Sequence, residues 1–321
     1  MSLWQRWVTM LDRRESGLTL ALVRIACGTV IALHLSRALY LGVTDWVWVD
    51  NAHGGLRVLD AGWMAWFGGL TPANVHGLVI FTLLAAIAMA LGLATRVATL
   101  AVWFCFGYLA DLNGHAGGSY DELLKNTIFL LLVSDCGVRL SVDRFLRPRP
   151  DAVPAWPRYL MVVQLAVVYW MTALQKVSSS WVPFGDSDAL WYILQQTTWV
   201  RAPLPFDRLV PLYPLFQLAT FSVWIWEQSA PLLLLAFYYR DTRDRAGRLR
   251  ALFNRHDFRK WYLLFGIGMH LGIESLMEVG PFSFATLTLY LACVHPDEWR
   301  SFAMEKLPFL RTPSAQGTGK S

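Results

Sequence analysis

Residues 159–174 contain no charged side chain, and the surrounding stretch YLMVVQLAVVYWMTALQKVSSSWVPFG changes character only at Lys176. A helix crosses the hydrocarbon core of a bilayer with about 20 mostly apolar residues, so a run like this can be satisfied by lipid. Comparable apolar runs lie at 18–41, 76–93, 97–109, 121–133, 212–238, 261–277 and 281–294. Charged residues make up 16% of the chain, where a soluble domain carries about 25%. Sixteen tryptophans suit a protein with two interfacial belts. The expected fold is all-α, a polytopic membrane helix bundle of about eight transmembrane spans.

The loops sort by charge. Basic residues are in excess in the N-terminal segment, at the Arg96 turn, across 139–158, across 240–260 and in the C-terminal tail. The connections at 42–75, 111–120, 177–211 and 278–280 are poor in them. The two sets alternate around the spans. The positive-inside rule then puts both termini in the cytoplasm and Lys176, Asp121 and His115 on the extracytoplasmic side. Residues 1–17 read as an interfacial amphipathic segment with Trp4 and Trp7, residues 18–299 as the transmembrane domain, and 300–321 as a polar tail. Surface helices are expected near 56–67 and 190–199. Pro214 and Pro231 are expected to interrupt the run at 212–238. The sequence predicts no cleavable leader and no lipidation. Its basic residues flank spans, so no nucleic-acid partner is implied; the bilayer is the expected partner. Cys27, Cys105, Cys136 and Cys293 form no CxxC pair and read as buried apolar side chains.

Several polar residues fall at membrane depth, where unpaired charge costs several kcal/mol. Read as a helix, Tyr169, Thr172, Ala173 and Lys176 share one face. Lys176 either snorkels to the headgroups, the common fate of helix-end lysines, or points into a cavity and does chemistry. Trp181 and the serines before it mark the exit from the bilayer. Glu227, in WIWEQSAPLLLL, must be protonated, paired with a cation or facing a wet cavity. His34 lies in the outer half of the first span, where a lone histidine is more often a satisfied core residue than a ligand. Arg24 reads as a helix-packing or snorkelling residue. Asp121 and Glu122 open the fourth span and serve its N-terminus. His270 and Glu274 share a face at i, i+4, but no third ligand stands at a telling distance, so no metal is predicted. GxGxxG, Walker A, GxSxG and HExxH patterns are absent.

Three segments together resemble a known family. YWMTALQKVSSSWVPFG is similar to the span of the vitamin K-dependent γ-glutamyl carboxylases that carries an aromatic face, a lysine and a following Trp and Gly. MHLGIESLMEVGPFSF with HPDEW resembles a second segment of that family, and SYDELLKNTIFLLLVSDCGVRLSVD a third, shared with bacterial HTTM-domain proteins. The resemblance runs from about residue 18 to residue 299. It implies that Lys176 is the base that deprotonates a vitamin K-type hydroquinone. In that family the quinol anion takes up oxygen and becomes an epoxide, and a strongly basic oxygenated intermediate removes a γ-proton from glutamate before carbon dioxide adds. A free lysine titrates near about 10.4 and is a poor base at neutral pH; an apolar pocket favours its neutral, basic form.

This sequence departs from the animal carboxylases in two ways. It has no counterpart of their large lumenal region after the spans, and Ser119-Tyr120-Asp121 stands where they carry an Asn-His pair. It is therefore closer to the short bacterial members, which implies a bacterial cytoplasmic membrane and menaquinol as the quinol. The leading expectation is a quinol-epoxidising core with Lys176 as base. His270, Asp121, Glu227, His34 and Tyr169 would shape the quinol site, with a secreted peptide or protein as a candidate second substrate. The alternative is a non-catalytic membrane factor for maturation, export or immunity of a secreted peptide. A transporter is a third class, without an inverted repeat to support it.

Overall fold

In the computed structural model, which describes residues 2–306, the chain is all-helical apart from one two-residue strand pair. Helices of nine residues or more are numbered α1–α12. The first five are α1 (Leu3–Leu11), α2 (Leu18–Tyr40), α3 (Pro72–Leu91), α4 (Thr95–Leu112) and α5 (Ser119–Leu132). Then come α6 (Trp156–Gln175), α7 (Tyr213–Gln228) and α8 (Ala230–Asp241). The last four are α9 (Arg248–His256), α10 (Phe258–Leu276), α11 (Phe282–Tyr290) and α12 (Pro296–Lys306). The tail beyond 306 lies outside the described residues. Four stretches are long and apolar enough to cross a membrane: α2, α3, α6 and the helical stretch Phe206–Gln228 that ends with α7.

The first half is a row of neighbours: α2 packs along α3, α3 along α4 and α4 along α5. Gly28 makes the first contact possible, because a Cβ there would stand 2.7 Å from the Ala86 carbonyl oxygen and 2.9 Å from Ala90 Cβ. Small residues let helices approach closely where apolar burial gives no drive between them. In the second half α6 packs on α7 and α8, and α10 on α11. The short α11 touches α2, α5, α6 and α10 and joins the two halves. Its Ser283, Ala285, Thr286, Leu289 and Tyr290 are buried.

Helix ends follow local chemistry. Thr71 caps α3, with Pro72 in the first turn, where its missing N–H costs nothing. Gly92 ends α3 in the left-handed region at φ +69°, and a Cβ there would overlap Ser141 and the Arg24 guanidinium. Arg24 is fully buried and donates to the Met89 carbonyl at 2.6 Å and the Ala90 carbonyl at 3.0 Å. It therefore packs helices rather than snorkelling, and its charge meets the negative end of the α3 dipole. Partial burial works against the Asp143 carboxyl, but hydrogen bonds from the Thr95 amide and hydroxyl and the Ala94 amide hold it below the usual carboxylate range. Asp143 thereby caps α4.

Contacts between loops group at two ends. At the basic end, β1 (Arg14–Glu15) pairs antiparallel with β2 (Val153–Pro154), Arg158 binds Glu15, Arg300 binds Asp151 and Arg240 binds Glu298. At the other end Arg37 and Arg201 meet Glu278, and residue Val200 bridges to Met277. The charge-sorted loops are thus also sorted in space.

Several boundaries differ from the sequence expectation. The surface helix near 56–67 is a 3-10 helix, Gly62–Phe67, because Gly62, Gly68 and Gly69 all take positive φ and break a regular helix. The helix expected at 190–199 shrinks to Ala189–Ile193. The run at 212–238 does break, between α7 and α8 at Ser229. Pro231 has no N–H to offer the Glu227 carbonyl four residues back, and its ring crowds that carbonyl. Pro214, by contrast, sits in the first turn of α7, where it is tolerated.

Candidate functional site

The break at Ser229 leaves Glu227 in the last turn of α7, and α6 ends opposite it. Lys176 is the C-cap of α6, its amide donating to the Ala173 carbonyl. Its side chain turns inward: Nζ donates to Glu227 Oε1 at 2.6 Å and Oε2 at 2.5 Å. Lys176 keeps 16% of its side-chain exposure and Glu227 only 6%. The ammonium also stands 4.6 Å from the centroid of the Trp181 ring, within cation–π range.

The loop after α6 holds Trp181 there. Asp186 N donates to the Ser179 carbonyl at 2.9 Å and Ala189 N to the Ser180 carbonyl at 2.8 Å, folding 177–189 back on itself. Gly185 permits this, since a Cβ there would overlap the Ser179 backbone. The outer face of α6 and the loop after it are apolar: Trp170, Met171, Leu174, Val177 and Phe184 are exposed.

Tyr169, seven residues before Lys176, lies about 10 Å along α6 on the same side. Its hydroxyl stands 2.7 Å from His270 Nε2 and 2.6 Å from the Tyr290 hydroxyl. The donor order depends on the imidazole tautomer. The Tyr169 ring meets Trp226 edge-on, and Trp226 stacks on Tyr262 with its indole N–H on the Tyr262 carbonyl. Trp226 precedes Glu227, so the same turn of α7 holds the ion pair and packs against the Tyr169–His270–Tyr290 chain. Gly266 makes room for it, because a Cβ there would overlap the Tyr290 hydroxyl and the Trp226 ring. Two buried polar atoms of this cluster, His270 Nδ1 and the Tyr262 hydroxyl, have no hydrogen-bond partner.

Four of the six sequence candidates thus fall into two contacting pairs, Lys176–Glu227 and Tyr169–His270, both reached from the last turn of α7. Asp121 and His34 join neither. They meet around Tyr120, whose ring lies 5.8 Å from that of His34. Both line a cavity of about 20 Å³, room for about one water. Asp121 Oδ2 accepts the Gly118 amide at 2.8 Å, closing the N-terminus of α5. Glu274 is held by Arg201 at 2.6 Å and does not join His270. Among the described residues no three His, Cys, Asp or Glu side chains converge as metal ligands would. The four cysteines are free and buried.

Sequence reasoning did not find Trp226, Tyr262 and Tyr290. Gly266, one turn before His270 on α10, was the available signal, since a glycine inside an apolar helix marks a close approach.

An all-helical bundle with membrane-length apolar helices and ionisable residues held inside it defines an integral membrane protein. The chain belongs to the HTTM-domain family, whose family model matches residues 13–299. No solved structure matches it.

Proposed function

We propose that this HTTM-domain protein is a membrane enzyme that oxidises a lipid-soluble quinol with dioxygen, as the carboxylase core it resembles does, with Lys176 as the base. One observation carries this reading: a partly exposed amine held against a buried carboxylate at the end of a helix whose outer face is apolar. The mechanism passes one proton between the two groups. When that proton sits on Glu227, the Nζ lone pair is free to take the phenolic proton of a quinol, and Glu227 passes its own proton outward to reset the pair. The overall step, quinol plus dioxygen giving quinone epoxide plus water, draws all four electrons from the quinol, two as quinol becomes quinone and two as the ring is epoxidised; one oxygen atom enters the epoxide and the other leaves as water. Trp181, which is only partly buried, offers an aromatic face for that ring. His270 Nδ1 and the Tyr262 hydroxyl are unpartnered but buried, so a ring oxygen reaches them only where the packing around Trp226 moves.

The finer topology follows the same reading. Counting α7 and α8 as one broken span, α2–α8, α10 and α11 make eight crossings. The basic end then faces the cytoplasm of a bacterium and Lys176 faces outward. Menaquinol is the quinol such a membrane supplies, entering sideways near Phe184 and Val177. The second substrate is a secreted peptide or protein.

The test uses purified protein in detergent with vitamin K hydroquinone or menaquinol and oxygen, following the epoxide by mass. Wild type should form it and Lys176→Ala should not. A second reading, a non-catalytic maturation, export or immunity factor, is favoured by the closure of the pair, since both Glu227 oxygens are engaged as in a purely structural bridge. No epoxide from well-folded wild type with either quinol would sink the enzymatic reading in its favour.

A further inference from the structure

A cavity of about 420 Å³ opens at the basic end, far along the chain from Lys176, between the start of α4 and the segment 134–149. Its rim carries Arg96, Arg144, Arg147 and Arg149. Arg96 is committed to Asp135 at 3.0 Å. Asp143 is committed to capping α4. For Arg144, Arg147 and Arg149 no carboxylate lies within ion-pair distance among the described residues, and Arg144 Nη1 is buried without a hydrogen-bond partner. A buried guanidinium nitrogen left empty is costly, and the ligand that satisfies it is an anion with several acceptor oxygens.

The walls give the anion's source. Leu93, Val97 and Leu146 line the same cavity and are exposed outward, and Phe145 beside them is exposed as well. A soluble phosphate would have no use for that surface; acyl chains would. The short helix Val142–Leu146 thus places Arg144 in the cavity lining and leaves Phe145 and Leu146 exposed. Charge sorting alone explains arginines in this loop. It does not explain an open cavity with unpaired guanidinium groups above an apolar wall.

We infer that this cavity binds the phosphate headgroup of an anionic phospholipid, held by Arg144, Arg147 and Arg149, with its acyl chains along Leu93, Val97 and Leu146.

The test is lipid retention by the full chain, read by native mass spectrometry after exchange into micelles doped with phosphatidylglycerol or phosphatidylcholine. Wild type should retain phosphatidylglycerol and not phosphatidylcholine. R144Q/R147Q/R149Q should weaken retention about tenfold or more, since each basic group near the surface contributes appreciably. The control R243Q/R245Q/R248Q removes the same charge from exposed positions outside the cavity lining, before and at the start of α9, and should change retention by less than about threefold. Equal losses in both triples would mean diffuse attraction and overturn the proposal. Inorganic phosphate displacing the lipid at millimolar concentration would overturn the lipid assignment. If the site triple fails to fold, Val97→Asp and Leu146→Asp, which strike the acyl wall alone, must lower phosphatidylglycerol retention in its place, and unchanged retention would reject the site.

Discussion

The ion pairs Arg158–Glu15, at the basic end, and Lys176–Glu227, at the other, are both held inside this bundle, and they differ in cation and in exposure. At the basic end, Arg158 Nε and Nη2 donate to the two Glu15 oxygens at 2.7 and 2.8 Å, with side-chain exposures of 2% and 6%. Arg158 also reaches the Ala292 carbonyl, and Glu15 sits in the strand pair. This pair ties the N-terminal segment to α6 and to the end of the α11 segment. At the other end Lys176 makes an equally close contact with Glu227, but 16% of its side chain is open. A guanidinium does not give up its proton in a protein, whereas an amine does. The sealed pair is therefore fixed in one state, and the proposed function asks the open pair to use two.

Exchanging the cations breaks the comparison most sharply. Lys176→Arg keeps the charge and the carboxylate partner but removes the base. Epoxide formation should fall by at least about a hundredfold, with the thermal midpoint in detergent little changed. Arg158→Lys should do the reverse, leaving turnover within about threefold and lowering the midpoint. Turnover that survives Lys176→Arg would make the two pairs equivalent anchors.

Removing the acids gives the next largest effect, on stability. Glu15→Gln strands a guanidinium that cannot discharge and should cost about 3 kcal/mol. Glu227→Gln strands an amine that can lose its proton or reach solvent, so denaturant unfolding should show a clearly smaller loss, while turnover still drops because the proton exit is gone. Equal losses would place both pairs in the structural class.

How much of this was legible beforehand follows the same division. The apolar helices, the charge-sorted ends and the break near Pro231 are local features, and local pattern finds them. Lys176 stood out as the first charge after an uncharged run, and Glu227 as a carboxylate in the middle of one. That they meet was not legible, because 51 residues separate them and periodicity gives a helix face without naming its neighbour. Tyr169 and His270 are 101 residues apart, and Tyr290, which completes their chain, lies among ordinary apolar residues of α11. Asp121 and His34 show the same limit from the other side. Their depth matched the site's end of the bundle, but Tyr120 collects them separately.

The aromatic chain supplies a smaller effect that sharpens the contrast. Tyr169→Phe removes a hydroxyl and leaves His270 Nε2 and the Tyr290 hydroxyl without it, which should cost about 1–2 kcal/mol of stability. If the chain also orients the quinol, KM should rise more than kcat falls. A change in stability alone would assign the chain to packing, as Arg158 is.

The smallest effect comes from a pair that is neither sealed nor functional by this reading. Arg37 and Glu278 meet at 2.7 Å with exposures of 53% and 38%. The hydrogen bond from Arg37 holds the Glu278 carboxyl below the usual glutamate range, against some desolvation and with Arg201 adding to the effect. A carboxyl depressed in the folded state contributes stability that is present above its unfolded pKa and lost as the pH falls through its folded one. The contribution should therefore be complete at neutral pH and disappear in the acid range below about 4.3, the ordinary value for glutamate. Solvent screening limits it to under about 1 kcal/mol. Comparing Glu278→Gln with wild type at pH 7 and at the lowest pH where both stay folded should show a small difference that closes on acidification. A difference that stays constant with pH would mean the contact is held by packing rather than by charge, and exposure would then be a poor guide to how the buried pairs were separated.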